Sequence, residues 1–234
     1  IHGPDGAKLS KRHGALSVQA YRDMGYLPEA MSAYLMRLGW SPGHDDIITK
    51  EVAVAQFNLA QIGKAPSRLD FAKLDSVNAH FLRAAEDARL AALLVGQLGV
   101  LSPAAQARVE KAISVLKNRA KTVAEMANQA AFLISERPLV LDAKAQSSIK
   151  DAKEPLRRVH DVLVAQAEWN NAALSSALKT FATDEGVGMG QIGPVLRAAL
   201  TGGAPSPDLG QTLELLGREE SLARLADQVE VSHG

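Results

Sequence analysis

Residues Leu27–Gly39 read LPEAMSAYLMRLG, and this stretch carries the pattern that decides the fold class. Pro28 suits the first turn of an α-helix, where its missing N–H would have no intrahelical partner, and Gly39 suits the helix end. The apolar residues that recur at helical spacing are Met31, Tyr34, Leu35 and Leu38. The spacing therefore predicts a helix that packs by one apolar face.

The same signals recur along the rest of the chain. Ser102 and Pro103 open a periodic apolar run that is predicted as one helix over residues 103–135, roughly 45–50 Å long at about 1.5 Å per residue. Further helices are predicted at about 170–184, 194–201, 206–216 and 218–229. No long alternating β-branched segment occurs, so the predicted class is all-α, with a short strand or turn at IHGPDG, residues 1–6.

Composition excludes several classes of protein. The 234 residues are 47% hydrophobic and 22% charged, which is ordinary for a soluble globular chain, and no apolar run approaches the roughly 18 residues of a membrane span. We expect a cytoplasmic protein with no membrane partner. There is no cysteine, and the 6 histidines lack metal-ligand spacing, so no metal site is expected. Because 26 basic residues balance 26 acidic ones, nucleic-acid affinity has to come from local basic patches.

A basic loop lies close to the start of the chain. Residues 5–14 read DGAKLSKRHG, with Lys8 and Lys11 three residues apart around the hydroxyl of Ser10, between two glycines. Lysines act as point charges toward phosphates, and a hydroxyl and free backbone N–H groups add donors. The pattern indicates a phosphate-binding loop, and a solvated basic loop is the alternative.

A resemblance to a known family favours the first interpretation. Residues 8–12, KLSKR, resemble the KMSKS-type signature of class I aminoacyl-tRNA synthetases. The following HGALSVQAYRDMGYLPEAMSAYLMRLGWS, residues 13–41, is similar to the segment after this signature in bacterial glutamyl-tRNA synthetases. The stretches LDFAKLDSVN, residues 69–78, and IGPVLRAALTGGAPSPDLGQTLELLG, residues 192–217, extend the resemblance over nearly the whole chain; it is weakest at about 86–165.

The resemblance implies a function for the longer enzyme: ATP-dependent activation of glutamate to glutamyl-adenylate, with Mg, followed by transfer to tRNA(Glu). Lys8, Ser10 and Lys11 would be the catalytic loop residues that stabilise charge on the ATP phosphates, with Lys11 binding ATP. In this family a Rossmann catalytic half precedes the loop. This chain is therefore expected to be the tRNA-binding C-terminal part, to be inactive alone, to bind no cofactor by itself, and to be a monomer.

The family also implies a domain division and tRNA contacts. Residues 1–85 would hold the loop and a helical stem-contact region, and residues 86–234 an α-helical anticodon-binding domain, with subdomains at 86–137 and 138–234. The residues implied to bind the anticodon are Arg119, which would read its third base, and Arg197, Ser206, Pro207 and Leu209. Those implied to contact the tRNA stem are Lys73 and Arg83.

Each contact has a structural alternative. The arginines and Lys73 could belong to solvated helix faces, and Ser206-Pro207 could cap a helix. Arg197 is expected to be free for RNA, because the apolar residues of its helix lie on another face. The two tryptophans, Trp40 and Trp169, are expected in the core rather than as stacking platforms.

One motif is rejected, and other functions stay open. GMGQIG, residues 188–193, fits GxGxxG, but a helix is predicted before it instead of a strand, so we predict a loop between helices with Pro194 opening the second. The alternatives to the synthetase are a free-standing enzyme that uses Lys8 and Lys11 on a nucleotide, and a helical RNA-binding or adaptor fragment without catalysis.

Overall fold

The computed structural model describes residues 1–3, 6–9, 16–41, 43, 47–150 and 152–230. Within these residues the elements, in chain order, are α1 Val18–Asp23, α2 Pro28–Gly39, α3 Lys50–Gln56, a 3₁₀ helix Leu59–Gln61, α4 Phe71–Ala84, α5 Asp87–Leu98, α6 Pro103–Arg119, α7 Val123–Ile134, α8 Ala143–Lys150, α9 Lys153–Val164, α10 Asn171–Asp184, α11 Met189–Thr201, α12 Leu209–Leu216 and α13 Arg218–Glu230. The described residues contain no β-strand beyond isolated bridges, so the predicted all-α class is confirmed.

The chain divides into two compact units. The first unit consists of Ile1–Gly99 with Ile113–Ala127, and the second consists of Val100–Ala112 with Asn128–Gly234. These two units are defined by contacts between residues. The predicted domains, residues 1–85 and 86–234, are defined by the part of the tRNA that each would bind, and this division stays a prediction.

Helix α2 begins and ends where the sequence predicts it, with Pro28 at its first position. Its buried residues are Ala30, Ala33 and Tyr34, whereas Leu35 is 45% exposed, so the apolar face lies slightly to one side of the predicted one. Small residues on this face let α2 approach α4 closely. At the start of α4, the Tyr34 hydroxyl accepts from the Asp70 N–H at 2.6 Å. Packing between α2 and α4 therefore organises the first unit.

The run over residues 103–135, predicted as one helix, is two helices, α6 and α7. The break follows from local hydrogen bonding at Thr122-Val123-Ala124-Glu125. The Thr122 hydroxyl accepts from the Glu125 N–H at 3.1 Å, and the Glu125 carboxylate accepts from the Lys121 N–H at 2.8 Å. The Thr122 hydroxyl thus caps the start of α7 by accepting from one of its unpaired N–H groups, and Glu125 holds the residue before Thr122, so a new helix begins here.

The helices of the second unit are confirmed at 170–184 and 218–229, and two others start at different residues. Helix α11 begins at Met189 instead of Pro194, because the Gln191 side chain turns back and accepts from the Gly188 N–H at 3.2 Å. Gly190 and Gly193 are thus helical, and the prediction of a glycine loop there is wrong.

Helix α12 begins at Leu209 instead of residue 206. Its N-cap is Asp208, whose carboxylate accepts from the Gln211 N–H at 3.0 Å. Ser206 therefore does not cap this helix, and it lies in the loop between α11 and α12, where it is available for other contacts.

The two tryptophans pack against protein. Trp40 is 5% exposed in a cluster with Ile48 and Ala53, as predicted. Trp169 is half-buried, and its indole N–H donates to the Leu213 carbonyl at 3.0 Å. Both side chains are therefore part of the packed structure.

Candidate nucleic-acid interface

The basic loop near the start of the chain is only partly described. Ser10 and Lys11 lie outside the described residues, while Lys8 is exposed next to a turn. In that turn the Gly6 N–H donates to the Gly3 carbonyl at 3.0 Å, and Gly6 has a φ of 79°, a value that favours glycine. The strand or turn predicted at residues 1–6 is described only in part, because residues 4 and 5 lie outside the described residues, and Lys8 lies exposed two residues after Gly6.

The first unit carries a group of cations at the end of α6. Arg119 is the last residue of α6 and is exposed. Its neighbour Lys117 is held by the protein: its ammonium lies 2.6 Å from the Asp87 carboxylate and donates to the Ala85 carbonyl at 3.0 Å. Lys117 is thus held by the protein, and Arg119 lies exposed at the end of the same helix.

The segment that follows Arg119 is fixed by backbone contacts. Asn78, fully buried in α4, accepts from the Leu27 N–H at 2.8 Å and donates to the Lys121 carbonyl at 2.5 Å. The Val123 N–H donates to the Gly25 carbonyl at 3.0 Å. These contacts hold the short connection between α6 and α7, and with it the surface position of Arg119.

The predicted stem contacts both lie on α4. Lys73 is half-buried in its first turn, and Arg83 is exposed in its last turn. Ten residues separate them, which is about 15 Å along the helix axis. The structure therefore places these two cations near opposite ends of one helix instead of in a single cluster.

In the second unit, Arg197 lies against the loop that follows its own helix. Its Nη1 donates to the Ser206 carbonyl at 3.2 Å and to the Pro207 carbonyl at 2.5 Å, and it also contacts the Ser206 hydroxyl. We call these three residues the Arg197 clasp. The expectation that Arg197 is wholly free for RNA is wrong, because Nη1 already has protein acceptors. Among the described residues, Nε and Nη2 have no acceptor and remain available as donors.

The other predicted residues of this loop are partly covered. Pro207 and Leu209 are buried, with Leu209 9% exposed, whereas Ser206 is half-exposed. The structure thus brings Arg197, Ser206 and Pro207 together. The exposed part of this loop is therefore mainly polar groups and backbone, while the side chains of Pro207 and Leu209 pack inward.

Two glycines that our sequence reasoning did not single out shape this loop. Gly202, with φ 67°, ends α11, and its carbonyl accepts from the Asp142 N–H at 3.0 Å. A Cβ on Gly203 would clash with the Asp142 carboxylate. The adjacent glycines at positions 202 and 203 were the available signal, since paired glycines mark a turn with positive φ.

The described residues include no group of three side chains able to hold a metal ion. No described helix is both long and apolar enough to span a bilayer.

Two family models match this chain. Residues 81–229 match the anticodon binding domain, and residues 1–76 match the catalytic domain of class I tRNA synthetases of the E and Q type. The matched regions contain the helices and the basic stretch on which the sequence resemblance rests.

The chain is also similar to individual glutamate–tRNA ligases. The chain is 52% identical to glutamate–tRNA ligase 1 of Hyphomonas neptunium, covering 98% of this chain and 48% of that protein. It is 49% identical to glutamate–tRNA ligase 2 of Rhodospirillum centenum, covering 97% of this chain and 50% of the relative. A crystal structure of a glutamate tRNA ligase from Elizabethkingia meningosepticum superposes with a TM-score of 0.81 at 25% identity, covering 98% of this chain and 50% of that one.

The chain spans about half the length of the curated relatives it matches. The anticodon-binding model alone covers well over half of the chain. The resemblance that the KLSKR stretch indicates is thereby confirmed, and the chain belongs to the family of the anticodon-binding domain, with glutamate–tRNA ligases as its relatives.

Proposed function

We propose that this chain is the tRNA-binding C-terminal part of a glutamate–tRNA ligase and that it recognises tRNA(Glu). The match of residues 81–229 to the anticodon binding domain carries this proposal. The longer enzyme attaches glutamate to tRNA(Glu) in two ATP-dependent steps, through glutamyl-adenylate, with Mg on the phosphates. We further propose a cytoplasmic monomer, with stem contacts in residues 1–85 and anticodon contacts in residues 86–234.

The roles of the loop residues follow the same proposal. Lys8 and Lys11 neutralise charge that develops on the ATP phosphates, and Ser10 adds a hydroxyl donor. The exposure of Lys8 beside a defined turn is compatible with reaching a ligand. Only residues 1–76 match the catalytic domain model, so we propose that this chain alone forms no glutamyl-adenylate.

The first test is direct binding of RNA by the full 234-residue chain. We expect it to bind an anticodon stem-loop hairpin of tRNA(Glu) in a fluorescence-anisotropy titration. Two or three phosphate contacts made by lysine and arginine would lower the affinity roughly tenfold between about 50 and 200 mM salt, because bound counterions are released.

The control is a hairpin with the same stem and an altered loop. Weaker binding to this control supports anticodon recognition, and equal binding would indicate contacts to phosphate alone. Absence of binding to any hairpin would contradict the proposal and favour an adaptor. Turnover of ATP by the chain alone would favour a free-standing enzyme.

The second prediction concerns the base that Arg119 reads. Glutamate and glutamine tRNAs differ at the third anticodon base, which is cytosine in the former and guanine in the latter. A guanidinium can donate to the oxygen and ring nitrogen of cytosine, whereas the Watson–Crick edge of guanine presents donors of its own. A base-specific contact is usually worth about 1–3 kcal/mol. The Arg119→Gln variant should therefore reduce the preference for cytosine over guanine by roughly ten- to a hundredfold.

The measurement is the ratio of Kd values for two hairpins that differ only at this base. Lys121→Gln is the matched control, because Lys121 lies two residues away and its side chain is 62% exposed. Its ammonium lies 3.8 Å from the Asp75 carboxylate, near the upper limit for an ion pair. It should weaken binding to both hairpins equally. If Arg119→Gln also changes both affinities by the same factor, Arg119 contacts phosphate instead of the base.

A further inference from the structure

Arg224 in α13 is a fully buried arginine, with 0% of its surface exposed. Burial lowers the pKa of the Arg224 guanidinium, because desolvation disfavours the charged form, and the Glu220 carboxylate opposes this effect. A charged group removed from water is strongly destabilising unless its donors are paired. The contacts that Arg224 makes are therefore the reason why it can occupy this position.

Those contacts lie at the ends of two other helices. Nη1 donates to the carbonyls of Phe132 and Leu200, each at 2.8 Å, and Nη2 donates to the Ser135 carbonyl at 2.8 Å. Nε donates to the Glu220 carboxylate at 2.6 Å. The last carbonyls of a helix lack intrahelical partners and form the negative end of its dipole. One guanidinium thus joins the C-terminal ends of α7 and α11.

The bond to Leu200 connects Arg224 to the candidate site. Leu200 lies three residues after Arg197 and directly precedes the end of α11 and the turn at Gly202. After α11 ends at Gly202 the chain comes back to the Arg197 guanidinium at Ser206 and Pro207, whose carbonyls accept from it. Arg224 and the Arg197 clasp are therefore linked through about one turn of helix.

We propose that Arg224 is a positioning residue for RNA recognition: by holding the end of α11 it keeps the Arg197 clasp and the loop of residues 202–208 in the geometry that binds anticodon bases. This inference rests on the proposed function for its RNA partner. The effect on the loop itself does not require RNA and can be measured in its absence.

A neighbouring arginine provides a matched control. Arg108 donates through Nε to the Leu133 carbonyl at 2.8 Å, and its Nη1 lies 3.8 Å from the Glu220 carboxylate. It shares the α7 end and Glu220 with Arg224, and no bond of Arg108 to α11 occurs among the described residues. Replacing Arg108 should loosen the same network without releasing the end of α11.

The first arm of the experiment measures amide hydrogen exchange in the free 234-residue chain, well below the Tm of each variant. A lysine cannot reach all four acceptors of Arg224, so Arg224→Lys should raise exchange in residues 201–208 by about tenfold. Arg108→Lys should leave exchange there unchanged. Should Arg224→Lys fail to fold, Glu220→Gln, which keeps the guanidinium but weakens its Nε contact, should raise exchange in the same direction by a smaller factor. Unchanged exchange in both Arg224→Lys and Glu220→Gln overturns the proposal.

The second arm measures hairpin affinity for Arg224→Lys, Arg197→Ala and the double variant. If Arg224 acts through the Arg197 clasp, Arg224→Lys should raise the Kd for the hairpin about tenfold. In the Arg197→Ala background the same substitution should raise Kd only slightly further, because the effects of coupled residues are not additive. Additive losses would show a merely structural role and would overturn the positioning role. Failure of the unmodified chain to bind any hairpin would contradict the proposed function, and the exchange arm would still decide whether Arg224 holds the loop.

Discussion

Gly25→Ala is expected to lower the free energy of unfolding of the first unit by about 2–5 kcal/mol. Gly25 has a φ of 85°, a conformation that costs an L-residue roughly 1–2 kcal/mol. A Cβ there would lie 2.5 Å from the Ala124 nitrogen and 2.7 Å from the Val123 nitrogen, and relieving such overlap typically costs about 1–3 kcal/mol. Both contacts are with backbone atoms, so the clash cannot be removed by rotating a side chain.

Gly99 offers a matched control for the backbone term. Its φ is 84°, and a Cβ there would have no atom within 4 Å. Gly99 has a ψ of −150°, in a backbone region that is essentially restricted to glycine, so Gly99→Ala should cost only the conformational term, roughly 1–3 kcal/mol. The two variants are compared by chemical denaturation followed by circular dichroism. Equal losses would show that the approach of Gly25 to the start of α7 contributes nothing to stability.

Asn78→Leu is expected to lower the free energy of unfolding by about 2–6 kcal/mol. Leucine has the same branching as asparagine but cannot accept from the Leu27 N–H or donate to the Lys121 carbonyl. Each backbone group left buried without a partner costs roughly 1–3 kcal/mol. The loss should be visible as a lower denaturation midpoint with an unchanged slope.

Asn118→Leu serves as the control for replacing an amide by an apolar side chain. Asn118 is exposed on α6, and its amide donates only locally, to the Ser114 carbonyl at 2.7 Å. Its replacement should change stability by less than about 0.5 kcal/mol, as is usual at surface positions. A comparable loss in both variants would mean that water replaces the Asn78 contacts without penalty.

Asn78 and Gly25 also affect the proposed function, since both hold the connection that follows Arg119. Partial release of this connection should reduce the base preference assigned to Arg119, even in protein that remains folded. The stability and the RNA preference of the first unit are therefore expected to change together at these two positions.

The sequence by itself determined the helical class, the limits of α2 and α10 to within a residue, and the family resemblance. These features depend on local signals: apolar spacing near 3.6 residues, proline in the first turn, and a contiguous motif such as KLSKR. The break between α6 and α7 was also encoded locally, in Thr122 and Glu125, but the continuous apolar period over residues 103–135 concealed it.

Only the tertiary structure decided which candidate cations are engaged by the protein. Lys117 is an ordinary basic position near the end of α6 in the sequence, yet Asp87, which is 30 residues away, holds it. In the sequence Arg224 is an ordinary polar position of α13. In the structure it is buried and donates to backbone carbonyls as far away as Phe132, which lies 92 residues earlier in the chain. Such contacts depend on how helices pack, and helix packing brings together residues whose separation along the chain leaves no periodic signal. The hydrogen bonds that bury Arg224 and engage Arg197 were therefore not predictable from sequence spacing.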